Sequence, residues 1–199
     1  MNSMYRVFGY LFEESLSRVW QHSQSGRGFI LASAFRGEYD EVTNLARHEQ
    51  LKGLLNQRKI GYFVVDGVGI ENKGTPQERE VVELSVFVPY TSKLTPDEFM
   101  ELGRELRRKF DQDFVVVKRP DEDEVTEVWR NGEEKKRLVA LHPDKMAEYY
   151  SRLRSGPHHG RPYTYEEMDT AKVSWTLRGV QIPENNIEGY GFMWNVQLH

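Results

Sequence analysis

Asn44 and Arg47 stand three residues apart in "NLARHEQLKGLL", while Glu83 and Ser85 alternate in "VVELSVFV". A helix brings positions i and i+3 onto one face, and a strand does the same for i and i+2. Gln112 opens a third segment, "QDFVVVK". If the three segments converge, Arg47 can hold an anionic group and Glu83 can act as a base. Asn44, Ser85 and Gln112 can then orient the ligand. That constellation describes a small enzyme acting on a phosphate-bearing ligand, with Arg47 and Glu83 as its catalytic pair. The competing reading makes Arg47 and Glu83 a structural ion pair, with Asn44 and Gln112 tying down backbone at turns. The absence of any stronger catalytic signature weighs toward that second reading, and so against an enzyme.

A second cluster lies in "EYYSRLRSGPHHGRPYTY", where Arg152, Arg154, His158, His159 and Arg161 interleave with tyrosines that include Tyr163. Guanidinium groups engage phosphates and tyrosine rings stack on bases, so this is the segment best suited to nucleic acid. Its structural alternative is a solvated helix end and an exposed loop. The adjacent histidines lack a third ligand at metal spacing, so no metal site is expected. No cofactor is called for either.

Glycines 61, 67, 69 and 74 in "GYFVVDGVGIENKG" resemble a phosphate-cradling loop. Such a loop must pass from a strand directly into a helix N-terminus. Here a polar turn and another strand follow, so the glycines read as the end of a strand with a bulge.

The 199 residues suffice for one ordinary domain, and 38% hydrophobic content supports a core. A net charge of −4 argues against non-specific coating of nucleic acid. With no cysteine, disulfides and thiolate chemistry are excluded. No apolar run is long enough to span a bilayer, and the N-terminus lacks a signal-peptide pattern, so the expectation is a cytoplasmic protein without a membrane partner.

Elements must position these residues. Residues 1–27 read as an amphipathic helix and linker. Residues 28–141 then alternate as strand (28–35), helix (41–59), strand (60–70), strand (79–90), helix (95–110) and strand (113–119), followed by a hairpin around Asn131-Gly132. That order predicts an α+β fold with a ferredoxin-like βαββαβ core. In that arrangement the helices cover the face lined by Val82 and Leu84, and Glu83 and Ser85 look the other way. Residues 142–199 read as a helix (143–155) and a β-rich extension packed on the same sheet. Its Trp175 is expected in the core, and Phe192 and Trp194 are the candidate anchors for a partner.

The span from about 29 to 120 resembles a family of small bacterial and phage proteins, a domain of unknown function. The resemblance is carried by "FILASAF", by "NLARHEQLKGLL" with Asn44 and Arg47, and by "IGYFVVDGVG". It continues through the Glu-x-Ser of "VELSVFV" and the Phe-x-Gln-Asp of "LGRELRRKFDQDFVVVK". The N-terminal "YLFEESLSRVWQH" looks like the leader of phage versions. The resemblance implies a phage or prophage context, hence host cytoplasm or virion, and no settled activity. Together these readings predict a non-enzymatic accessory protein with a host-takeover, anti-defence or virion-associated role. It would bind a protein partner or a second copy of itself. A nucleic-acid binder and the small enzyme are the alternatives.

Overall fold

The structure is a computed structural model and describes residues 16–24, 26–71, 74–143, 145–146, 149–154 and 159–167. Its strands are β1 (Phe29–Ser33), β2 (Phe63–Glu71), β3 (Arg79–Pro89), β4 (Phe114–Lys118), β5 (Val125–Trp129), β6 (Glu134–Arg137), β7 (Val139–Pro143), β8 (Tyr149–Leu153) and β9 (Pro162–Glu167). Its helices are α1 (Leu16–Ser23), α2 (Glu41–Gln57) and α3 (Pro96–Lys109). These described elements belong to one compact unit, Met1–Glu167, and the second unit, Met168–His199, lies outside the described residues.

All nine strands form one sheet in the order β6-β5-β4-β1-β3-β2-β8-β9-β7, with every pairing antiparallel. The two edge strands, β6 and β7, are consecutive in the chain with only Leu138 between them. In a flat sheet nine strands wide, the edges would lie roughly 38 Å apart at 4.8 Å per strand. Two peptide units reach about 7 Å at most. The sheet therefore curls on itself into a nearly closed, barrel-like form.

This corrects the ferredoxin-like α+β expectation: the fold is mostly β. β4 continues into the β5–β6 hairpin that the Asn131-Gly132 turn predicts, but the four-stranded core does not stand as such, because β2 pairs onward with β8. Within the expected helix at 143–155, residue 143 closes β7 and 149–153 form β8 instead. Tyr150 and Leu153 satisfy a helical i, i+3 spacing, but Ser151 and Leu153 also satisfy a strand's alternation, and the pairing with β2 decides. Nor do the glycines of β2 end the strand: its register with β3 runs unbroken from Phe63 opposite Phe87 to Glu71 opposite Arg79, without a bulge.

Alternation along the strands sends side chains to both faces of the sheet, and each face carries a buried cluster. The outer face (Ile30, Ala32, Val86, Val88, Val115, Val117) packs against Leu51, Leu54 and Leu55 of α2 and Phe99, Leu102 and Leu106 of α3. Asp40 caps α2 by accepting from the Thr43 amide at 2.7 Å, and Thr95 with Glu98 forms a capping box on α3 behind Pro96. Helix α3 sits so close to the sheet that a Cβ on Gly103 would clash with Val117 Cγ2. The inner face is filled by Phe29, Phe63, Val65, Phe87, Leu153 and Tyr163, with Val19 of α1. No helix among the described residues is long and apolar enough to cross a membrane.

Candidate active site on the inner face

Antiparallel register fixes which inner-face side chains are neighbours, because directly opposed residues project to the same side. One cross-strand row runs Glu83 (β3), Gly67 (β2), Ser151 (β8) and Tyr163 (β9). The next runs Ser33 (β1), Ser85 (β3), Val65 (β2) and Leu153 (β8). Glycine at 67 is dictated by this crowding. A Cβ there would meet Ser85 Oγ at 2.9 Å and Glu83 Cγ at 3.3 Å. The side-chain-free position leaves a notch beside the carboxylate.

Glu83 is partly buried, and its carboxyl is pushed up to about 7, chiefly because burial penalises the charged form. The polar Ser33 side chain beside it pulls the other way, and the negative charge of Asp113 adds to the rise. Ser33 itself is fixed: its hydroxyl donates to Leu84 O at 3.0 Å and accepts from the Phe35 amide at 3.0 Å. A carboxyl in this setting exchanges its proton near neutral pH and strongly favours a cation beside it.

Aromatic rings line the same face. Phe63, Phe87, Phe29 and Tyr165 stack in sequence, with centroids 4.8, 5.0 and 5.1 Å apart. The Tyr165 phenol pairs with Ser23 Oγ of α1 at 2.9 Å, and burial holds it neutral far above the usual tyrosine range. Further round, Phe114 lies opposite Trp129 on β5, with ring centroids 5.0 Å apart.

The residues singled out in the sequence divide into two groups. Glu83 and Ser85 face the interior together. Asn44, Arg47 and Gln112 also converge, but on the backbone around Ala34–Arg36. Asn44 accepts from the Arg36 amide and donates to Arg36 O and Tyr39 O. Arg47 donates to Ala34 O at 2.7 Å and Phe110 O at 2.5 Å, and Gln112 donates to Phe35 O and Phe110 O. They brace the turn that follows Ser33, so they act on Glu83's surroundings through the backbone.

In the Arg/Tyr segment, Arg152 pairs with Glu80 at 3.0 Å and Arg154 with Asp66 at 2.9 Å. Tyr163 is fully buried in the barrel, His159 is exposed in a turn, and Arg161 is partly buried. His158, Trp175, Phe192 and Trp194 lie outside the described residues. No group of three or more His, Asp or Glu among the described residues is arranged to hold a metal ion. Sequence reasoning missed Ser33, Phe114, Trp129 and Ser151, and it read Gly67 only as part of a strand end. Strand alternation marks each as inward or outward, but only register reveals their company.

The model of the S-adenosylmethionine lyase family matches residues 30–175, and the chain belongs to that family. The match takes in β2 through β9 and nearly all of β1. No curated protein matches the chain. Family membership points to an enzyme, which overturns the reading as a non-enzymatic accessory protein and the weighting against catalysis. It also puts a family with a stated activity in place of the domain of unknown function, and it shows no phage origin.

Proposed function

We propose that this member of the S-adenosylmethionine lyase family cleaves a carbon–sulfur bond of S-adenosylmethionine, with Glu83 holding the sulfonium in the barrel. The substrate is a cation, and a lyase breaks its bond without adding water. The C–S electron pair leaves with sulfur as a neutral thioether, so the leaving group needs no proton. The carbon left behind is satisfied within the substrate, by attack of its own carboxylate oxygen or by loss of a neighbouring proton to a base. What the reaction needs is a water-poor cavity that holds the positive charge in a fixed pose. The phosphate-bearing ligand of the sequence reading gives way to a positively charged one. Arg47 is accordingly not its anchor.

The observation that carries this reading, beside the family match, is the Glu83 carboxyl opposite the Gly67 notch. A carboxyl that is half protonated near pH 7 ionises when a fixed cation arrives, and the pair forms in surroundings of low dielectric. Affinity for S-adenosylmethionine should therefore weaken as pH falls through about 7, where Glu83 takes up its proton.

Purified protein incubated with S-adenosylmethionine, followed by chromatography and mass spectrometry at early times, tests the activity. Two products whose masses sum to that of the substrate are expected. Products that sum to substrate plus water, or no turnover by folded protein, would overturn the reading. Glu83→Gln should abolish the pH dependence of binding.

A further inference from the structure

We propose that Phe114, backed by Trp129, is the platform on which the adenine ring of the substrate stacks, with the sulfonium directed toward Glu83. The inference rests on the lyase reading and adds to it the residue that recognises the base.

Phe114 is 42% exposed. Its position in the strand nonetheless places it on the inner face of the sheet. It lies two residues before Val116, which stands opposite Leu31, which in turn stands opposite Phe87. Phe87 and Glu83 are four residues apart on one strand, so Phe114 and Glu83 share the inner face. Phe29, Phe63 and Phe87 of the stacked series on this face are buried, whereas Phe114 keeps an open surface.

Its backing is rigid. Trp129 Nε1 donates to Glu127 Oε2 at 3.1 Å, and Glu127 Oε1 is held by Arg137 Nε at 3.1 Å. Lys135 Nζ stands 4.8 Å above the indole ring. Trp129 is thus fixed by a hydrogen bond at its nitrogen, a cation over its ring and Phe114 beside it. Such an aromatic pair loses little freedom when a flat base lands on it.

Ring and carboxylate stand on the two strands that flank β1, Phe114 on β4 and Glu83 on β3. Ser33 follows Leu31 on the inner face of β1, the strand next to β4, and stands opposite Ser85, two residues from Glu83 on β3. Asp113, adjacent to Phe114 in the chain, acts electrostatically on Glu83. A nucleoside with a cationic sulfur presents a stacking surface and a charge within one molecule, matching a ring and a carboxylate that flank the same serine. The competing account makes Phe114–Trp129 only a cross-strand pair that stabilises the β4–β5 ladder. It predicts lost stability but unchanged substrate affinity.

Phe114→Leu and Phe114→Tyr in the full chain separate the two accounts. Stacking on an aromatic ring is worth roughly five- to 150-fold in affinity, so Phe114→Leu should raise KM for S-adenosylmethionine at least about tenfold while kcat stays near wild type. Inhibition by adenosine, which carries the base and no sulfonium, should weaken by a similar factor. Phe114→Tyr should restore both. A Phe114→Leu protein with wild-type KM and wild-type adenosine inhibition would overturn the inference and leave the lyase reading intact. If the wild type does not turn over S-adenosylmethionine, adenosine binding by calorimetry decides: binding lost in Phe114→Leu supports the platform while the lyase reading fails, and no binding at all removes both.

Discussion

Glu83 and Gly67 face each other across the β2–β3 ladder, and a methyl group on Gly67 would press against both the Glu83 side chain and Ser85 Oγ. The notch exists because position 67 has no side chain. Its glycine is not needed for an unusual backbone, since the residues with positive φ are elsewhere, at Gly26, Gly74, Gly132 and Gly160 among the described glycines.

Gly67→Ala should therefore act on the site more than on the fold. The 2.9 Å approach to Ser85 Oγ is the tightest, so either that hydroxyl rotates away or the two strands must give. The expected result is a stability loss of about 1 kcal/mol and a fall in kcat/KM of tenfold or more. Adding Ser85→Ala removes the clashing oxygen and should recover part of the activity. Unchanged kinetics in Gly67→Ala, measured beside its melting curve, would show that the notch holds no substrate.

Stability against pH should expose two opposed buried groups. His48 is buried on α2, its Nδ1 has no hydrogen-bond partner, and desolvation, followed by the charge of Lys52, pushes it down to about 4 from an ordinary 6.5. Between those values the unfolded chain binds more protons, so His48 makes stability fall as pH drops, by up to about 3 kcal/mol. Glu83 is raised from 4.5 to about 7, so the folded state binds more protons there and stability falls as pH rises. Urea unfolding between pH 4.5 and 6.5 should show a shallow slope in the wild type. In Glu83→Gln stability should rise with pH across that window, and in His48→Phe it should fall. Parallel slopes in all three proteins would refute the assignment.

Lys118 should matter as a latch. Its buried ammonium donates to Gln24 O at 3.1 Å, Arg27 O at 3.0 Å and Glu122 O at 2.9 Å, tying the segment after α1 to the end of β4. Lys118→Met keeps the stem's volume but leaves three carbonyls without this donor. A loss of about 2–4 kcal/mol is expected by chemical unfolding. A change under about 0.5 kcal/mol, the range of ordinary surface substitutions, would mean that water replaces the ammonium freely.

Arg47→Ala should behave as a scaffold mutation. It removes the donor to Ala34 O and Phe110 O and a guanidinium standing 4.9 Å from the Tyr39 ring centre. Unfolding free energy should drop by about 1–3 kcal/mol. KM for S-adenosylmethionine, measured where the variant is fully folded, should move far less than in Phe114→Leu. A larger KM effect would return Arg47 to the substrate.

Much of the element pattern was legible locally. The capping residues of α3 and the Asn131-Gly132 turn lie within a few positions of one another, and short-range chemistry is enough to read them. So was the inward alternation of Glu83 and Ser85. The fold class was not legible, because Tyr149–Leu153 fits two periodicities and only the free edge of β2 selects the strand. That pairing and the one-residue step from β6 to β7 turn an open sheet into a near-barrel. The site depended on it as well. The sequence by itself determined which residues alternate toward one face, since side-chain direction follows from the backbone period. Tertiary structure alone decided that Gly67 stands between Glu83 and Ser151, and that Phe114 shares their interior. Register between strands far apart in the chain is set by the summed packing of both faces, and no local stretch contains that sum.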